Sequence, residues 1–221
     1  MKYGESIFDV AYLVFALVMG LLILIRGKGE ASKYYGVAVL ALVFGDAYHL
    51  VPRALNYFID HDYTRDLGIG KLISSLSMTA FYMLLYLALA AIEDRIRPFE
   101  YVAACFLSVA RYALCLFPQN GWADNDSPLL WSILRNIPFV ALGVLVIVIY
   151  KKRCREPELK RVWLLMTLSF AFYIPVAVGA KFVPALGMLM LPKTVCYVLI
   201  IWALWRRAKR TRLDAAKITE V

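Results

Sequence analysis

One length recurs along this chain, and it constrains the fold more than any other feature. Unbroken apolar blocks of about twenty residues run at 6–25, 34–53, 72–92, 99–117, 129–150, 162–180 and 186–205. A helix needs about twenty apolar residues to cross a hydrocarbon core roughly 30 Å thick. Backbone in lipid must satisfy its own hydrogen bonds, so only helices and closed barrels span. A barrel requires short alternating strands, and these runs are continuous. The sequence predicts an all-α integral membrane protein, a seven-transmembrane-helix bundle. Composition agrees, at 62% hydrophobic and 19% charged, where soluble domains carry about a quarter charged residues. The expected location is the cell membrane, multi-pass, with the lipid bilayer as the first partner.

Residues 1–205 leave room for a single seven-helix domain, followed by a basic tail at 206–221. The net charge of +9 could be mistaken for a nucleic-acid signal, but its distribution excludes nucleic acid as a partner. Seventeen of the 25 Lys and Arg residues fall in 26–33, 93–98, 151–161 and 206–221. The alternate set (1–5, 53–71, 118–128 and 181–185) holds five. Basic loops stay in the cytoplasm, so the N-terminus is expected outside and the C-terminus inside. "KKRCREPELKR" and "RRAKRTR" then read as anchors near anionic headgroups. "MKYGESIFD" is a poor n-region for a cleaved signal, and span 1 reads as retained. Cys105, Cys115, Cys154 and Cys196 form no CxxC and read as unpaired thiols, with no metal or cofactor implied. Nothing in the pattern names an oligomeric state.

In the 54–71 connection, Gly68 and Gly70 read as helix breaks. The Asp60-His61-Asp62 triplet there reads as a solvated loop rather than a cation site. Trp122 in "PQNGWADNDSP" reads as an interfacial anchor. Without a gap, "TAFYMLLYLAL" (79–89) aligns with "TVCYVLIIWAL" (194–204), sharing Thr, Tyr, Leu, Ala and Leu. That match is what a 3+1+3 pseudo-repeat would produce, with span 4 as the linker.

The segment "LVFGDAYHLVPRALNYF" (42–58) places Asp46, His49 and Arg53 at i, i+3, i+7, one stripe on a helix. Three further spans carry Arg111, Arg135 and Lys193. By helical rise these groups lie roughly 9–11 Å below the outer surface, apart from His49 and Arg53, which lie higher. Charges facing lipid cost several kcal/mol, so the stripe should line a polar interior. Pro52, Pro138, Pro175 and Pro192 fall in the same outer halves and should free the carbonyls of Tyr48, Leu134, Ala171 and Met188. Tyr48, Tyr82, Tyr173 and Tyr197 lie near this level, with hydroxyls able to meet a ligand.

The intramembrane bases outnumber the single acid, Asp46, which favours a small anionic ligand. The expected ligand-binding set is Asp46, His49, Arg53, Arg111, Arg135, Lys193, Tyr48, Tyr82, Tyr173 and Tyr197. Asp46 and Lys193 would pair, and His49 would modulate the site through protonation. A transporter is the favoured reading, and a ligand-sensing receptor with basic cytoplasmic loops is the alternative. An intramembrane lipid-modifying enzyme, built on Ser77, His49 and Asp46, is the weakest, because no oxyanion donor is identifiable. A lysine in the seventh span invites comparison with retinal proteins, but span 3 offers no carboxylate. One intramembrane histidine cannot supply the cage of a zinc hydrolase.

Overall fold

The computed structural model describes residues 2–180 and 182–219. Lys181 and residues 220–221 of the tail lie outside the described residues. Seven α-helices follow one another: α1 (Lys2–Arg26), α2 (Glu30–Leu55), α3 (Thr64–Ile92), α4 (Pro98–Leu116), α5 (Leu129–Arg153), α6 (Val162–Gly179) and α7 (Met190–Thr219). All seven are long and apolar enough to cross a membrane. Each packs on its neighbours in the chain, and α1 meets α7 to close the bundle. The N-terminus and the 56–63 and 117–128 connections share one end, called here the N-terminal end. The 27–29, 93–97 and 154–161 connections share the other, the basic end.

The interior is aromatic and aliphatic, with Tyr35, Leu42, Phe81, Tyr82, Leu85 and Phe139 all buried. The outward faces are equally apolar: Val10, Val14, Phe106, Val109, Leu130 and Ile137 are all more than half exposed. Facing water, that surface would be an aggregation liability, whereas facing lipid it is solvated.

Three expectations need correction. First, Gly68 and Gly70 do not break a helix; both lie inside α3. A Cβ on Gly70 would collide with the Tyr48 carbonyl oxygen, and one on Gly68 with that of Trp122. The two glycines serve close backbone approach instead. The Tyr48 carbonyl is the one that Pro52 deprives of its helical donor, and the missing side chain of Gly70 leaves room for it.

Second, Pro192 falls in the first turn of α7, after a 3₁₀ turn over Pro184–Leu189. Proline is tolerated there without loss of a helical bond, so only Pro52, Pro138 and Pro175 interrupt helices. Lys193 consequently belongs to the opening turn of α7, not to mid-helix.

Third, the basic tail through residue 219 continues α7, and part of its charge turns inward. Arg207 approaches Glu156 at 3.6 Å, while Arg210 pairs with Glu156 and, at 2.9 Å, with Glu158. Arg153 bridges Glu93 and Glu100. Between these clusters burial pushes the Cys154 thiol above its ordinary range. The Tyr35 and Tyr150 hydroxyls meet at 3.2 Å, and Tyr150 also donates to the Leu85 carbonyl at 2.9 Å. The basic end is therefore tied together by side chains.

The two tyrosines aligned by the repeat, Tyr82 and Tyr197, meet hydroxyl to hydroxyl at 3.3 Å. Around the bundle the helices follow in chain order.

Candidate functional site

The stripe on α2 faces a second stripe that sequence reading overlooked. Glu5, Asp9 and Tyr12 on α1 follow i, i+4, i+7 spacing and point at Asp46, His49 and Arg53. Arg53 forms an ion pair with Glu5. Tyr12 donates to Asp46 Oδ2 at 2.7 Å, and Ser74 of α3 donates to Oδ1 at 3.3 Å. Glu5 also accepts from the Tyr57 hydroxyl at 3.2 Å. The acid in an apolar run at residue 9 was the available signal, since a charge so placed must find polar company. Which helix supplies that company is decided by tertiary packing.

The arginines of α4 and α5 both turn inward. Arg111, 1% exposed, donates through Nη1 to the Arg135 carbonyl and, at 2.7 Å, to Asn136 Oδ1. Its guanidinium lies 4.7 Å from the Phe139 ring centre, and its Nε has no hydrogen-bond partner. The Tyr173 hydroxyl donates to the same Asn136 oxygen at 2.7 Å. Arg135 donates to Asn120 Oδ1 at 2.7 Å and to Ser127 Oγ at 3.2 Å. Asn120 is fully buried, and its amide donates to the carbonyls of Leu114, Cys115 and Phe117 at the end of α4. The 117–128 connection thus folds inward over the helix ends. Trp122 goes with it. Its ring centre lies 4.4 Å from the Arg135 guanidinium carbon, and its Nε1 donates to the Cys115 carbonyl at 2.8 Å.

These groups line one cavity of about 1210 Å³. Its charged wall comprises Arg53, Lys71, Arg111, Arg135 and Lys193, against Glu5 and Asp126. Among the described residues no carboxylate forms an ion pair with Lys71, Arg111, Arg135 or Lys193; Lys71 donates to Asn125 Oδ1 at 2.6 Å. Phe8, Met78, Phe139, Val176 and Leu191 add apolar wall. The first turn of α7 also borders the space, so helix-terminal N–H groups add positive potential.

Of the ten expected ligand-binding residues, six line this cavity: His49, Arg53, Arg111, Arg135, Tyr173 and Lys193. Asp46 and Tyr197 line a smaller void beside it. Asp46 and Lys193 share that void without forming an ion pair; the expected direct pair is replaced by the Tyr12 and Ser74 hydroxyls. Tyr82 is buried against Phe139 and Phe170 and lines neither space. Tyr48 is half exposed on the outer face of α2 and stacks on Phe44 at 4.9 Å, so it leaves the set.

Ser77 Oγ donates to the Ser74 carbonyl at 3.1 Å, so the expected Ser77–His49 contact is not formed. In the 56–63 connection, Asp62 accepts from the Thr64 N–H at 3.0 Å. Hydrogen bonding from Thr64 holds its carboxyl below the usual range. Among the described residues no group of three His, Cys, Asp or Glu side chains could hold a metal ion. No family model, curated protein or solved structure matches this chain.

Proposed function

We propose that the chain is a multi-pass membrane protein, N-terminus outside, that recognises a small anionic solute in the cavity at its N-terminal end and transports it. One observation carries the reading. Arg111 and Arg135 are both buried, line the cavity and, among the described residues, bond only to neutral acceptors. A buried guanidinium without a carboxylate is costly unless an anion completes it. The unpartnered Arg111 Nε marks where a further acceptor would bind. Pro52, Pro138 and Pro175 interrupt the hydrogen bonding of three of the enclosing helices, where bending is easiest.

Sensing without transport is the second reading, favoured by the aromatic floor. Phe81, Tyr82, Phe139, Phe170 and Tyr197 contact one another in a continuous layer. An exit path would have to pass through it.

The test uses phosphate, sulfate and citrate as probe anions on the full chain in nanodiscs. At least one should bind, and Arg111→Met should weaken that binding at least tenfold. Comparing nanodiscs with and without anionic lipid separates a soluble anion from a headgroup, since an anionic lipid occupying the site would compete. Uptake of the bound anion into proteoliposomes supports transport, and binding without uptake supports sensing. Binding that survives Arg111→Met unchanged would sink the proposal.

A further inference from the structure

Beside the large cavity lies a second void of about 50 Å³, room for little more than a water or two. Glu5 and Asp9 of α1, Asp46, His49 and Arg53 of α2, and Lys193 of α7 supply its charged wall. Glu5 and Arg53 pair with each other. That leaves two carboxylates, Asp9 and Asp46, facing one ammonium and one imidazole.

Asp9 is the anomaly. It is 7% exposed, and among the described residues it takes part in no hydrogen bond or ion pair. It shares the wall of this small void with Asp46, a like charge. Two carboxylates bordering one buried void resist being ionised together unless a cation or a proton offsets them.

Lys193 is placed to decide how many protons they hold. Its Nζ lies 5.4 Å from the Tyr173 ring centre and 5.3 Å from that of Tyr197. Tyr173 belongs to the wall of the large cavity and Tyr197 to that of the small one. The ammonium therefore stands on the boundary between the two spaces, beyond ion-pair distance of any carboxylate among the described residues.

We propose that Asp9 and Asp46 form a proton-accepting carboxylate pair whose proton uptake is coupled, through Lys193, to anion binding in the large cavity. The proposal rests on the anion reading above. An anion entering the large cavity draws the Lys193 ammonium to itself. The carboxylates lose that counter-charge, and a proton from the solution at the N-terminal end replaces it. The new O–H bond forms on one carboxylate oxygen and donates across the void to the other carboxylate, directly or through a water, while Tyr12 and Ser74 continue to hold Asp46. One proton replaces the one withdrawn ammonium charge for each anion bound, with no other bond changed.

A proton fits this void better than a sodium ion does. Sodium needs several oxygens around it, whereas this wall also presents the Lys193 ammonium and the Arg53 guanidinium. Thr194, which also lines the void, already donates to the Met190 carbonyl at 3.0 Å. His49, with Nδ1 unpartnered, is the competing proton acceptor, and the readout must separate imidazole from carboxyl.

Infrared difference spectroscopy does so, because only a protonated carboxylic acid gives a carbonyl-stretch band that shifts in D2O. The full chain in nanodiscs is titrated with phosphate, sulfate and citrate, while a dye in weak buffer counts protons. The expected result is uptake of about one proton per anion bound, whatever the charge of the anion, with growth of the acid band in wild type. Asp9→Asn should abolish both. The wild-type spectrum decides even where that variant fails to fold. Anion binding without proton uptake, uptake without the acid band, or binding that requires sodium would each overturn the coupling and leave the anion reading standing. Absence of binding by all three probes would instead defeat the anion reading, and the coupling with it.

Discussion

At the scale of single residues, the polar interior is a set of unequal partnerships. Asp46 receives two hydroxyl donors, while Lys193, sharing its void, sits out of contact. A hydrogen bond to an ionised group contributes about 1.5–3 kcal/mol. A double-mutant cycle on Tyr12→Phe and Asp46→Ala should therefore give a coupling of that order in thermal unfolding of the purified protein. The Asp46→Ala and Lys193→Met cycle should give a smaller one, since no direct bond is lost. Equal couplings, or none between Tyr12 and Asp46, would contradict this assignment. The α2 residues, Arg111, Arg135 and Lys193 could be singled out from sequence because a charge in an apolar span has few places to go. Asp9 satisfies the same criterion, but it stands alone in its span, with no second charge at helical spacing inside the apolar run to mark a stripe. Asn136 and Asn120 left no comparable trace. A neutral amide is ordinary in a sequence, and its role appears only when a guanidinium reaches it.

At the scale of elements, the helices themselves were readable from apolar length, because lipid thickness sets a minimum that composition must meet. Their ends were less so. Gly68 and Gly70 resemble punctuation in a linear reading, but in the structure they sit where α3 touches the carbonyls of Trp122 and Tyr48. Propensity alone makes Gly→Ala in a helix favourable by up to about 1 kcal/mol. Here the added methyl meets backbone, which cannot rotate away, and overpacking of that kind costs about 1–3 kcal/mol. Gly70→Ala and Gly68→Ala should both lower the midpoint of thermal unfolding. Gly4→Ala on α1 should not, because nothing lies within 4 Å of its added Cβ. If all three raise the midpoint alike, the close approach of α3 is not as described. The start of α7 was misplaced for a related reason. "GMLMLP" is apolar throughout, so hydropathy cannot separate a 3₁₀ turn from the helix that follows it.

At the scale of the whole molecule, the two ends of the bundle differ in kind. The basic end is cross-tied by Arg153 to Glu93 and Glu100, and by Arg207 and Arg210 to Glu156 and Glu158. The N-terminal end opens into a cavity with an excess of positive charge. The internal pairs absorb some of the basic charge, yet positive-inside orientation counts Lys and Arg rather than net charge. The asymmetry of seventeen against five therefore keeps its force. It predicts that the cavity faces out and the tied end faces the cytoplasm. Single cysteines placed at two exposed positions test this in intact cells. The background must lack Cys105, Cys115, Cys154 and Cys196, the four native thiols. An impermeant maleimide added from outside should label Asp124→Cys in the 117–128 connection. It should spare Lys160→Cys in the 154–161 connection until the membrane is permeabilised. The reverse pattern would turn the cavity toward the cytoplasm. An anion would then enter from inside, the proton accompanying it would come from the cytoplasm, and the direction of any coupled flux would reverse. Labelling at both sites before permeabilisation, in cells shown to be intact, would mean that the chain does not hold one orientation. Charge distribution would then have failed as its determinant.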